Sequence, residues 1–251
     1  MTLEATKRTP GSMSTLRIRP AIVLFGDSIT QQAFGLDGAV GWASLLSNAY
    51  VRRADVLNRG FSGYNTRHCL EILPRVFGSS DILFCTVLLG ANDASLPGER
   101  QHVPIEEYEE NLGKIVTSIR ERTKSEQSDF PIILMTPPPI NEAAWSTHCP
   151  EPNKRSNEAA REYGERVKKV AARNGCPVVD VFEALGGNGD KYGQNLSDGL
   201  HLNGRGNTLL FEGLLKIIKT HYPHLAPMED GDEKYGTTGI PVEEELWRDL
   251  C

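Results

Sequence analysis

Ala21-Ile22-Val23-Leu24-Phe25-Gly26-Asp27-Ser28-Ile29-Thr30 is the stretch on which the reading of this chain turns. Five apolar residues in a row, closed by a glycine, are the pattern of a buried strand. A serine just past the carboxyl end of an early strand lies where open α/β sheets place their chemistry. Its hydroxyl is a weak nucleophile unless a base stands beside it. Ser28 therefore matters only if the rest of the chain supplies a base, a group to orient it, and donors for an oxyanion.

Outward from this stretch, strand and helix patterns alternate, as in a parallel sheet covered on both faces. A helix is predicted over Gly41 to Ala54, with Trp42, Leu45, Leu46 and Tyr50 on its apolar face. A strand follows near Val56-Leu57, then a short helix from Thr66 to Phe77 and a strand from Ile82 to Leu89. Pro104 suits the first turn of a helix running to Arg122. A fourth strand, Ile132 to Met135, is stopped by three prolines. Asn157 to Arg173 reads as a helix ended by Asn174-Gly175. The fifth strand is predicted over Pro177 to Phe182, and a last helix, capped by Asn203, over Gly204 to Tyr222.

The base is sought near that last helix, in Asp198-Gly199-Leu200-His201-Leu202-Asn203. A short turn lets the Asp198 carboxylate accept the Nδ1 proton of His201, which leaves Nε2 free to take the Ser28 proton. The plainer alternative is that Asp198 merely closes a turn through its own side chain. Donors come from two further strand ends. Asn92, in Gly90-Ala91-Asn92-Asp93, is placed to aim its amide into the same crevice. One such donor is worth on the order of 3 kcal/mol in the transition state of acyl transfer. Gly63, in Asn58-Arg59-Gly60-Phe61-Ser62-Gly63, is able to present a backbone N–H with no Cβ in the way. Singly, Asn92 and Gly63 read equally as turn residues. Asp27 and Asp93 are assigned to local hydrogen bonding that holds the strand ends. The segments Ala94 to Val103 and Thr136 to Pro150 are candidates for lining the cleft.

Together these blocks resemble the SGNH hydrolases, also called the GDSL esterase/lipase family. Gly26-Asp27-Ser28 matches the nucleophile block, Gly63 the backbone donor, Asn92 the side-chain donor, and Asp198 with His201 the acid and base. Ser28-Ile29-Thr30, Trp42 and Thr136-Pro137-Pro138-Pro139 are similar to the isoamyl acetate-hydrolysing esterase branch. The resemblance implies a three-layer α/β/α sandwich with a parallel five-stranded, flavodoxin-like sheet. It implies a serine esterase acting on short-chain, acetate-type carboxylic esters through an acyl-enzyme. The catalytic residues would be Ser28, Asp198 and His201, and the oxyanion hole would be formed by Ser28, Gly63 and Asn92. No metal and no organic cofactor are implied. A carbohydrate O-deacetylase and an acyltransferase would use the same residues, and a non-catalytic ester- or glycan-binding module would usually lack Ser28 or His201.

Composition is consistent with this. At 251 residues, 39% hydrophobic and 24% charged, the chain suits one globular domain. The expected limits are 20–225, between a basic leader at 1–19 and an acidic tail at 226–251. The tail holds eight acids against Lys234 and Arg248, enough to account for the whole net charge of −6. A body without a basic face argues against nucleic acid, and no apolar run approaches membrane-spanning length. A small-molecule ester is the expected partner, and self-association stays open. Five cysteines without framework spacing suit a reducing compartment. The cytoplasm is expected, with organelle targeting by the leader as the alternative. Gly186-Gly187-Asn188-Gly189 is only a turn, because no phosphate-loop lysine accompanies it. His221 and His224 lack partners at metal-ligand spacing, and a G-x-S-x-G elbow is absent around Ser28.

Overall fold

Strand β1 (Ala21–Gly26) is completely buried and lies between β2 (Asp55–Gly60) and β3 (Ile82–Leu88), parallel to both. The computed structural model describes residues 19–77, 81–123, 130–149 and 154–227. Strands β4 (Ile132–Met135) and β5 (Val178–Val179) complete a five-stranded parallel sheet in the order β2-β1-β3-β4-β5. This order reverses direction at β1, so a crevice opens beyond the carboxyl ends of β1 and β3.

Period-two alternation along the central strands builds two cores. Ile22 and Leu24 of β1, Phe84 and Leu88 of β3, and Ile133 and Met135 of β4 face one layer. That layer contains helices α2 (Trp42–Ala49) and α8 (Gly204–His221). Val23, Phe25, Cys85, Val87, Ile132 and Leu134 face the other. It is covered by α3 (Thr66–Val76), α4 (Ile105–Arg122) and α6 (Asn157–Asn174). Each fully buried large apolar side chain contributes about 1.5–3 kcal/mol of transfer free energy. The result is the expected three-layer α/β/α sandwich.

The boundaries differ from expectation where tertiary contacts intervene. Helix α2 stops at Ala49 rather than Ala54. Tyr50 donates its hydroxyl to Leu225 O at 2.7 Å, and Arg52 takes a left-handed φ of 62° that ends the helical path. Strand β2 is longer than Val56-Leu57, because its pairing with β1 runs from Ala21↔Asp55 to Gly26↔Gly60 despite the polar Asn58 and Arg59. Strand β5 is only two residues long. Asp180 accepts from Glu183 N at 3.0 Å and caps a short helix, α7 (Val181–Ala184), where strand was expected. Two more short helices, α1 (Ser28–Gln31) and α5 (Glu142–His148), occupy segments for which no helix was predicted. Nearly all of the leader and of the acidic tail lies outside the described residues. No helix among the described residues is long and apolar enough to cross a membrane.

Candidate active site

Ser28 is the first residue of α1, directly after β1, and is 5% exposed. Asp27 caps this helix by accepting from Ile29 N at 3.0 Å. The Asp27 carboxylate is fully buried. Burial pushes its pKa up to about 7, against the opposing pull of the Ile29 N–H and of His201. Asp93, at the end of β3, accepts from Thr66 N at 2.9 Å and from Thr66 Oγ1 at 2.5 Å. Burial raises it to about 6 in spite of those donors. Asp27 bonds locally, as expected, whereas Asp93 ties the segment after β3 to the first residue of α3, 27 positions away.

The loop before α8 brings the second half of the site. His201 Nε2 lies 2.8 Å from Ser28 Oγ across 173 residues of sequence, and His201 Nδ1 lies 2.6 Å from Asp198 Oδ2. Asp198 also does what the plainer reading proposed. Its Oδ1 accepts from Leu200 N at 2.9 Å and from His201 N at 2.8 Å, closing a turn. One oxygen shapes the loop while the other holds the imidazole. Burial alone would raise the Asp198 carboxyl. The His201 ring N–H and the two backbone donors outweigh it and hold the group well below the usual carboxylate range. His148 Nε2 approaches the same Oδ2 at 3.7 Å from an exposed position.

Gly199 makes this loop feasible. Its φ is +99°, and a Cβ there would stand 2.5 Å from Trp145 N and 2.6 Å from Asn141 O. The loop is thereby pressed onto α5, and the Trp145 ring sits 6.2 Å from the His201 ring. Asn203 caps α8 by accepting from Gly206 N at 3.1 Å, as expected, which ties the loop to a long helix.

The two further donor positions are linked to each other: Asn92 bonds Tyr64, the neighbour of Gly63, and Gln101 joins Gly63 O to the arginine that holds Asn92. Gly63 has φ +80°, a conformation that L side chains rarely adopt. Asn92 is 3% exposed and donates Nδ2 to Tyr64 O at 2.8 Å, which uses one of its two amide hydrogens. Its Oδ1 accepts from Arg155 at 3.0 Å.

Arg155 escaped the sequence reading. It follows a polar stretch, where an arginine reads as a solvated surface residue. In the structure it is 7% exposed and bonds Ala91 O, Asn92 Oδ1 and Gln101 Oε1. Its guanidinium carbon lies 5.4 Å from the centre of the Trp145 ring. Burial lowers its pKa to about 10, opposed by Asp27, Cys149, Asp93 and Glu99, so it remains a cation at neutral pH. Gln101 and Trp145 come from the two loops singled out as cleft candidates. Among the described residues no group of three or more His, Cys, Asp or Glu is arranged to hold a metal ion, and Cys69, Cys85, Cys149 and Cys176 are free thiols.

Residues 24–209 match the model of the GDSL-like lipase/acylhydrolase family. The chain is 41% identical over 211 residues to isoamyl acetate-hydrolyzing esterase 1 homolog of Mus musculus, covering 79% of this chain and 81% of that protein. It is 35% identical over 217 residues to the isoamyl acetate-hydrolyzing esterase of Saccharomyces cerevisiae, covering 82% and 88%. The crystal structure of a lipase/acylhydrolase from Enterococcus faecalis superposes with a TM-score of 0.64 at 28% identity, covering 84% of this chain and 99% of that one. With the Ser28–His201–Asp198 geometry and these matches together, the chain belongs to the GDSL-like lipase/acylhydrolase family and is a carboxylic ester hydrolase.

Proposed function

We propose that this protein hydrolyses short-chain, acetate-type esters by two-step acyl transfer through Ser28. The observation that carries the reading is the continuous line Ser28 Oγ–His201 Nε2 at 2.8 Å and His201 Nδ1–Asp198 Oδ2 at 2.6 Å. Neutral His201 takes the Ser28 proton as Oγ attacks the ester carbonyl carbon. Asp198 keeps the Nδ1 hydrogen in place and stabilises the imidazolium. The developing oxyanion is met by the N–H groups of Ser28 and Gly63 and by the second amide hydrogen of Asn92. When the tetrahedral intermediate collapses, the carbon–alkoxy bond breaks and His201 gives its proton to the departing alcohol. Water then repeats the sequence on the acyl-serine, releasing the carboxylic acid and restoring the Ser28 hydroxyl. Similarity to esterases named for isoamyl acetate supports the short acyl preference.

The test is a panel of nitrophenyl esters from acetate to palmitate, beside isoamyl acetate and acetylated sugars. Turnover should be highest on acetate-type substrates. A fluorophosphonate probe should label Ser28, and Ser28→Ala should abolish labelling and lower kcat by about 10⁴–10⁶. Wild-type turnover by Ser28→Ala overturns the assignment.

A further inference from the structure

A side-chain amide can face either way, and only its partners decide which. Arg155 is a pure donor and a backbone carbonyl a pure acceptor. Asn92 lies between such a pair, with Oδ1 taking the Arg155 hydrogen at 3.0 Å and Nδ2 giving one to Tyr64 O at 2.8 Å. Rotated by 180°, it would set donor against donor and acceptor against acceptor. The same guanidinium nitrogen donates to Gln101 Oε1 at 2.9 Å, and Gln101 Nε2 donates to Gly63 O at 2.9 Å. Arg155 also bonds Ala91 O, the carbonyl of the peptide that carries the Asn92 N–H. One buried cation thus orients two amides. One amide belongs to Asn92, and the other braces the backbone of Gly63.

The cation is itself rigidly held. Leu96 N donates to Lys154 O at 2.8 Å on one side. On the other, Ser156 caps α6 by accepting from Ala159 N at 3.1 Å. Burying a guanidinium is costly unless several acceptors compensate. Here three acceptors and the Trp145 face do so.

We propose that Arg155 is a positioning residue for the oxyanion hole: it fixes the orientation of Asn92 and, through Gln101, the Gly63 peptide, so that both donors stand aligned before substrate arrives. This rests on the role proposed for Asn92. Preorganised donors act on the transition state more than on bound ester. Loss of Arg155 should therefore appear in kcat and leave KM nearly unchanged, as should loss of Asn92.

The experiment is a double-mutant cycle on p-nitrophenyl acetate, with circular dichroism on each variant. Asn92→Ala should lower kcat by about 10²–10³. Arg155→Met should lower it by about 10–100-fold, the rate equivalent of a hydrogen bond to a charged group. In the Asn92→Ala background, Arg155→Met should cost less than it does in wild type, no more than about 3–10-fold, the loss expected of Gln101→Leu, because only the Gly63 arm of its effect remains. Two conservative variants keep the test alive if Arg155→Met does not fold. Arg155→Lys and Gln101→Leu should each lower kcat about 3–10-fold at constant KM, since a lysine lacks the fork that serves three acceptors. Unchanged kcat in both overturns the proposal, as do fully multiplicative losses in the cycle. A wild-type kcat for Asn92→Ala overturns the reading of Asn92 itself, and so is told apart from failure of Arg155 alone.

Discussion

Two carboxylates stand beside the Ser28–His201 contact, and their surroundings drive them in opposite directions. Asp27 lies in the dry end of the sheet with one backbone donor, and burial holds it up near 7. Asp198 lies in a half-buried loop with two backbone donors and an imidazole N–H, which hold it well below the ordinary range. The residue type is the same, yet one is a buried cap and the other a charged orienter. The difference is the number and kind of donors that each environment supplies against the desolvation penalty. Environments that push paired acids apart are also how acid and base roles become separated in an active site.

The comparison is tested most sharply at Asp198. Asp198→Asn keeps an oxygen for the Leu200 and His201 N–H groups but sets an NH₂ against Nδ1. The imidazole must then carry its hydrogen on Nε2, facing Ser28, and kcat should fall by about 10³–10⁴ with the fold intact. Steady-state rates and circular dichroism decide it. A variant within tenfold of wild type would show that Asp198 only closes the turn.

Asp27→Asn is expected to act on stability and on its pH dependence. Because the folded-state pKa of Asp27 is raised from 3.8 to about 7, the folded protein keeps a proton that the unfolded chain gives up. Stability from this group is therefore full in acid and is lost as pH rises from about 4 to 7. Asn cannot ionise, so the melting temperature of Asp27→Asn relative to wild type should rise across that window, by several degrees, and level off above it. For Asp198 the sign is reversed. Its depressed pKa makes its contribution full above the ordinary carboxylate range and lost only as pH falls below it. Thermal scans of both Asn variants from pH 3 to 8 check the pair. Parallel pH profiles would break the contrast.

The smallest effect is expected at Asn203, whose cap secures the loop end of the site. Asn203→Ala should lose about 1 kcal/mol in urea titration and lower kcat less than tenfold. A larger catalytic loss would mean that the His201 loop depends on its cap more than on Asp198.

Much of this was readable along the chain. The runs Ala21 to Phe25, Ile82 to Leu88 (Thr86 apart) and Ile132 to Met135 are apolar on both pleat faces, a pattern that suits a buried central strand. Asn203 was legible as a cap because a cap acts within three residues. The early end of strand β5 was not, since Asp180 turns the chain by capping α7 while Thr136 Oγ1 accepts from Phe182 N at 3.0 Å. Nothing within Pro177 to Phe182 announces the contact with Thr136.

The sequence by itself determined which chemistry the chain carries, because Ser28, Gly63, Asn92, Asp198 and His201 each stand at a strand end or turn marked by local pattern. Tertiary structure alone decided how they meet. The β2-β1-β3 order opens the crevice, and the fold closes 173 residues between Ser28 and His201 to a 2.8 Å contact. It also decided that Arg155, flanked by polar residues, should be buried behind Asn92. Periodicity and capping are short-range and survive in a linear string. A hydrogen-bond partner across a crevice depends on sheet order and loop packing, which no single segment encodes.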